Sequence, residues 1–305
     1  MRDNFIDELT QIVKSNKDII LITGDLGFGV LDNFIKKFPN QFINAGVAEQ
    51  NMTGIATGLG MDGKIVFTYS IGNFNTLRCL EQIRNDACYH DANVNIVSIG
   101  GGFSYGALGY SHHATEDIAI LRALPNIRVF SPCDFWEVRQ VTRKVVEIGG
   151  VNYIRIDKSF AKTINNDEEF IVGKGRVLRE GNDIIVFSTG GITDLVLNAQ
   201  KKLSKNGIHC KIISMHTIKP IDEDIILESA SKGIPMLSVE EHTKIGGLGS
   251  AISEVLINNG VFPRKFVIMG LESSFSTIVG SQSYLRKING LDTESIFNKI
   301  LSIVK

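Results

Sequence analysis

Several side chains in this 305-residue sequence stand where they could do chemistry. Glu49 falls where a short apolar run, Phe42-Ile43, gives way to Gly46 and then to a helical pattern through Ile55, Ala56, Leu59 and Met61. A carboxylate at such a strand-to-helix junction lies near the positive end of a helix dipole. It is either a first-turn charge that stabilises the helix or an acid held for use, and spacing alone favours the first. His112 and His113 close a glycine- and aromatic-rich stretch, Gly100 to Ser111, where a histidine can exchange protons near neutral pH. Phe74 follows an apolar strand; a flat ring there either joins the core or stacks on a planar ligand. The loop Thr23-Gly24-Asp25-Leu26-Gly27-Phe28-Gly29 invites a phosphate reading. It fits neither the dinucleotide nor the P-loop pattern, because the glycine spacing differs and no Lys-Ser/Thr follows. It reads as a tight turn bordering a substrate site.

The elements that must position these residues alternate. Helical spacing of Phe5, Leu9, Ile12 and Val13 precedes a strand at 18–22, then a helix at 31–38, a strand at 41–44 and a helix at 47–61. A strand at 64–69, a long helix at 74–89 and a strand at 94–99 follow, then the loop at 100–111, a helix at 115–123, a strand at 127–130, a helix at 134–147 and a strand at 152–156. The polar stretch 158–180, with Asn165, Asn166 and Asp167 inside it, marks a boundary. Beyond it come strands at 183–188, 208–214, 236–239 and 265–268, separated by helices at 193–203, 222–230 and 249–258 and followed by two short helices. Such alternation predicts α/β architecture with right-handed crossovers and mostly parallel sheets. Two consecutive domains are expected, 1–160 and 183–305, joined by a linker at 161–182.

Composition limits the function classes. Hydrophobic residues make up 43% and charged residues 21%, with a formal net charge of -1, an ordinary globular balance. No basic stripe interleaved with aromatics argues for nucleic acid as a partner. No apolar run approaches the roughly 18 residues of a membrane span, and the first ten residues lack a signal-peptide core, so a cytoplasmic location is the expectation. Cys79, Cys88, Cys133 and Cys210 lack metal-type spacing and are expected as reduced, largely buried thiols.

The stretch Asn44-Ala45-Gly46-Val47-Ala48-Glu49-Gln50-Asn51-Met52 resembles the Gly-Val-Xaa-Glu element in the pyrimidine-binding domain of thiamine-diphosphate enzymes of the transketolase family. Further motifs follow in family order: Gly24-Asp25-Leu26, Phe67 to Arg84, Ser111-His112-His113-Ala114-Thr115-Glu116-Asp117, Leu124-Pro125-Asn126, Val239-Glu240-Glu241-His242 and Gly246-Gly247-Leu248-Gly249-Ser250. The resemblance implies a pyrimidine-binding domain followed by a transketolase C-terminal domain. It assigns to Glu49 the carboxylic acid beside N1′ of the aminopyrimidine, and burial beside an apolar ring is what keeps such a group protonated. It implies that Phe74 stacks on the pyrimidine and that Ile71 replaces a second family phenylalanine. His112 aligns with the histidine facing the substrate, His113 is expected to point elsewhere, and His242 is expected in a structural or inter-subunit contact.

Departures from the pattern concern the substrate. Leu108 stands where the family has a sugar-reading aspartate, and Gly100 where it has a second histidine. The family's phosphate-binding arginines map onto Arg2 and Lys158. A sugar phosphate is therefore expected to be held less firmly than usual, favouring an acceptor that is bulkier or anchored otherwise, such as a sugar on a nucleotide. The Gly-Asp-Gly motif and asparagine that bind the diphosphate through a divalent metal are not found, and no dedicated metal site is read here; magnesium prefers oxygen ligands combined with phosphate.

Together the motifs imply the C-terminal subunit of a split transketolase. It would move a two-carbon ketol unit from a ketose to an aldehyde. A separate N-terminal subunit would supply most of the thiamine diphosphate and Mg2+ (or Ca2+/Mn2+) contacts, in an α2β2 assembly. The alternatives are a beta subunit of a 2-oxo-acid dehydrogenase, a pyruvate-decarboxylating synthase, and a non-catalytic regulatory subunit.

Overall fold

The apolar runs fold as strands covered on both faces, as interior strands of parallel sheets must be. The computed structural model describes residues 1–163 and 168–305. In the first half the elements run α1 (Arg2–Val13), β1 (Ile19–Thr23), α2 (Asp32–Lys37), β2 (Phe42–Asn44), α3 (Glu49–Met61), β3 (Ile65–Ile71), the short turns α4 (Gly72–Asn75) and α5 (Leu80–Gln82), β4 (Val94–Ile99), α6 (Asp117–Arg122), β5 (Ile127–Phe130), α7 (Phe135–Ile148) and β6 (Val151–Ile156). The second half gives β7 (Arg176–Arg179), β8 (Ile184–Ser188), α8 (Thr193–Ser204), β9 (Cys210–Ser214), β10 (Thr217–Lys219), α9 (Glu223–Ser231), β11 (Met236–Thr243), α10 (Leu248–Asn258), β12 (Phe266–Leu271), α11 (Gln282–Ile288) and α12 (Thr293–Val304).

Among the described residues these strands form two sheets, ordered β10-β5-β6-β4-β3-β1-β2 and β12-β11-β8-β9-β7. All neighbours are parallel except the outer pairs β10–β5 and β7–β9. The chain is thus two α/β units, each a mostly parallel sheet flanked by helices. Amphipathic helices cover the sheets, and α7, α9, α11 and α12 carry side-chain N-caps. Asp134 accepts the backbone N–H of Glu137 at 2.7 Å at the head of α7, and Val138, Val141 and Val145 line that helix's buried face.

Three features differ from the sequence expectation. The stretch 74–89 is not one long helix: α4, a 3-10 turn (Leu77–Cys79), α5 and a π turn (Ile83–Cys88) follow one another. Thr76 leaves helical geometry, at φ -126 and ψ -78, while its hydroxyl donates to the Gly72 carbonyl at 2.7 Å. The Asn75 side chain donates to the Val97 carbonyl at 3.0 Å. Side chains competing for carbonyls in this way break a helix that apolar spacing would otherwise carry. Second, the stretch 161–182 is more than a linker. Asn165, Asn166 and Asp167 lie outside the described residues, but Phe170 is buried and Arg176–Arg179 forms β7.

Third, β10 belongs to the second half in sequence and to the first sheet in space, with Thr217 opposite Phe130. One core cluster accordingly spans both sheets, joining Ile20, Val66 and Ile96 to Ile185, Ile213 and Ile252. The four cysteines are buried and free. Among the described residues no helix is long and apolar enough to cross a membrane.

Candidate active site

Glu49 opens α3 directly behind the carboxyl end of β2, the crevice where open α/β sheets bind ligands. The chain reaches it through Gly46, at φ +71, and the Asn44 side chain fixes that turn by accepting the backbone N–H groups of Asp25 and Gly46, both at 3.0 Å. Gly24 lies close beside it: a Cβ there would stand 3.3 Å from the Glu49 Cγ. The residue is 3% exposed, and its Oε2 accepts a hydrogen bond from Arg78 Nη1 at 2.7 Å.

From Glu49 a continuous row of rings and cations crosses the carboxyl ends of the strands. The Arg78 guanidinium lies 4.5 Å from the centroid of Phe74, which α4 presents after β3. Phe74 meets His112 edge-on, with centroids 5.1 Å apart. His112, half-buried, takes a hydrogen bond between its Nδ1 and Ser111 Oγ at 3.0 Å, and its ring lies 6.4 Å from that of Tyr105. Lys158 completes the row with its Nζ 3.8 Å above the Tyr105 ring. Burial, then the nearby Arg2 charge, holds the Lys158 ammonium below its ordinary range.

Arg2 shares one cavity with Lys158, Tyr105 and Asp157, and a second with Ile71, Tyr69, Leu26 and Phe28. The structure therefore brings Glu49, Phe74 and His112 together as a row, and Arg2, Lys158 and Ile71 together around Tyr105. Leu108 is left apart, 57% exposed at the end of the 3-10 turn Gly106–Leu108. His113 points inward: it is buried, bonds the Gly106 carbonyl through Nε2 at 3.3 Å, and packs on Phe103. Burial lowers its pKa from the usual value.

The loop carrying Tyr105 and His112 is held from below. Buried Arg155 of β6 donates to Asp117 at 2.8 Å and to the carbonyls of Ala114 and Glu241. Glu241 of β11 accepts the backbone N–H of Phe103 at 3.0 Å, pairs with Arg286 of α11 and takes a further bond from Gln282. Gly102, at φ +59, sits so close that a Cβ would lie 2.6 Å from the Glu241 carboxylate carbon.

The neighbouring Glu240 and His242 have separate structural work. Glu240 accepts the N–H groups of Leu248 and Gly249 at the head of α10, and its burial pushes the carboxyl up to about 7. His242 Nε2 accepts the Ala119 N–H at 3.3 Å; burial pushes the ring down to about 4. A cluster of Cys133, Asp134 and Glu137 gathers potential metal donors, but Arg176 lies on both carboxylates, 2.7 Å from Asp134 and 3.4 Å from Glu137.

Reading the sequence missed Arg78, Tyr105, Arg155 and Glu241 as parts of this arrangement. A charged residue gives no local signal when its partner lies far along the chain, and Arg78 and Glu49 are 29 positions apart. Tyr105 belongs to a stretch whose glycine-rich composition reads only as irregular loop.

Residues 1–162 match the family of the transketolase pyrimidine binding domain, and residues 173–296 that of the transketolase C-terminal domain. The chain is 40% identical to a putative transketolase C-terminal section from Methanocaldococcus jannaschii, over 100% of this chain and 96% of that protein. It is 34% identical to one subunit of the apulose-4-phosphate transketolase from Phocaeicola vulgatus, over 100% of this chain and 97% of that one. A solved structure described as a split gene transketolase, inactive beta4 tetramer, superposes with a TM-score of 0.90 at 34% identity, covering 99% of this chain and 97% of its own.

Proposed function

The chain belongs to the transketolase family, and from that premise we propose that it is the C-terminal subunit of a split transketolase that moves a two-carbon ketol unit from a ketose to an aldehyde with thiamine diphosphate. The observation that carries this reading is the pairing of a buried acid with an aromatic face. A single planar guanidinium touches both Glu49 and Phe74, so one flat, hydrogen-bonding ring can do the same. These residues fit an aminopyrimidine. When bound, the cofactor supplies the electron sink for breaking and making the carbon–carbon bond beside a carbonyl.

The chain's own residues then have distinct tasks. Glu49, 3% exposed, would meet the ring nitrogen N1′ with its carboxyl group. Phe74 stacks on the ring and fixes its plane. His112, half-buried and steadied by Ser111, orients substrate hydroxyls. Arg2, paired with Asp3 at 2.9 Å, and Lys158 gather round Tyr105 and offer an anion two cations at one mouth, which Asp157 also lines. That convergence supports a sugar carrying a phosphate or comparable anion, in place of the bulkier or otherwise anchored acceptor, such as a sugar on a nucleotide, favoured by the sequence departures. The name of the P. vulgatus relative, which cites apulose 4-phosphate, supports the same class.

A separate N-terminal subunit would bring the diphosphate and its divalent metal, in an α2β2 complex. One relative named as a C-terminal section, another named as a single transketolase subunit, and a neighbour described as an inactive beta4 tetramer support dependence on such a partner. The test is to purify the chain gently from its native host, weigh the complex and assay bound thiamine diphosphate. The expected result is a co-purifying chain, cofactor in the complex, and ketol transfer to an anionic aldose. A cofactor-free homo-oligomer without transfer activity would overturn the reading.

A further inference from the structure

Arg78 is the member of the row for which ketol transfer has no evident use. It sits on the 3-10 turn Leu77–Cys79, with its side chain about half exposed, and reaches inward to two groups only the site shares. Its Nη1 donates to Glu49 at 2.7 Å while its guanidinium lies 4.5 Å from the Phe74 centroid. A guanidinium is planar, carries in-plane N–H donors and stacks on aromatic faces. An aminopyrimidine is likewise planar, bears an in-plane amino donor and stacks. Glu49 is 3% exposed, so its carboxylate has little free surface through which a second partner could approach.

We propose that Arg78 competes with the aminopyrimidine for Glu49 and Phe74, and swings outward when the ring enters, so that it gates cofactor binding. This inference rests on the thiamine reading of the site. The backbone around Arg78 suits such movement. Thr76 breaks helical geometry just before it, and the segment continues as short turns of three different kinds rather than as one stiff helix. The exposed half of the side chain gives the guanidinium a path into solvent.

The experiment uses the complex as purified from the native host, and the same complex carrying Arg78→Met or Arg78→Lys. Each is stripped of cofactor by dialysis against a chelator and retitrated with thiamine diphosphate and Mg2+ by isothermal calorimetry. Methionine keeps the stem but removes charge and donors. Losing one partly exposed ion pair and one cation–ring contact corresponds to a tightening of cofactor binding by roughly three- to ten-fold. Lysine, which keeps the charge without the planar fork, gives a smaller gain; should the methionine variant fail to assemble, this smaller gain is the deciding result. Unchanged or weaker binding in the folded variants, with wild type still binding, overturns the gate and leaves the thiamine site standing. Absence of binding by all three overturns both.

Discussion

Glu241 of β11 accepts the backbone N–H of Phe103, 138 positions earlier in the chain, at 3.0 Å. One buried carboxylate thereby ties the second sheet to the loop that carries Tyr105 and His112. Its other oxygen faces Arg286, whose side chain is 6% exposed. Replacing Glu241 by Ala leaves a buried guanidinium unpaired and should cost about 3–5 kcal/mol of stability. Urea unfolding would read this, and the double variant E241A/R286M should recover part of the loss. A wild-type unfolding midpoint for E241A would remove Glu241 from the scaffold.

Glu49→Gln keeps the shape of the side chain but removes the acid. With the partner subunit present, ketol-transfer turnover is expected to fall by roughly a hundred- to ten-thousand-fold while thermal unfolding shifts little. Turnover equal to wild type would take Glu49 out of the mechanism.

Arg2→Ala and Lys158→Ala test the cationic mouth. Each should raise KM for a phosphorylated aldose by roughly ten- to hundred-fold, the range for losing a charged hydrogen bond, with a smaller change in kcat. An unphosphorylated aldose serves as control and should respond little. Equal effects on both sugars would locate the anion elsewhere.

His216 gives a pH dependence with a definite sign. Burial, and then the Arg176 charge, push its ring down to about 3 from an ordinary 6.5. Between those values the unfolded chain binds a proton that the folded chain lacks. The contribution is therefore complete above pH 6.5 and lost as pH falls towards 3. His216→Phe, beside Phe170 whose ring centroid lies 4.3 Å away, removes the titrating group. Its loss of stability between about pH 6.5 and about pH 5 should be about 1–2 kcal/mol smaller than that of wild type. Parallel stability curves would show that His216 is not a proton-linked site.

Much of this arrangement was legible in the sequence because the signals are local. Ile19 to Ile22 are apolar on every side, which marks a strand buried on both faces, and all four are buried. Glu49 was readable from Gly46 before it and helical spacing after it. The break after Asn75 was not, since Phe74, Leu77 and Leu80 keep helical spacing while the deciding hydrogen bonds go to Gly72 and Val97. Arg78 carried no mark of its own, because its meaning comes from a carboxylate on another element. Lys158 was aligned with a family position, but its meeting with Tyr105 depends on how a glycine-rich loop settles over β6.

The strand β10 also sets a timetable. It closes the first sheet at β5, yet Lys219 lies 63 positions beyond Ile156, the last residue of β6 (219 − 156). At about 5–20 residues per second, a ribosome needs roughly 3–13 s to make that interval. During it Ile127–Phe130 waits with its outer backbone groups unpaired, a template for any extended chain nearby. The nascent protein is thus most exposed to mispairing with its own copies before its second half has emerged, and chaperone contact in that window should concentrate on β5.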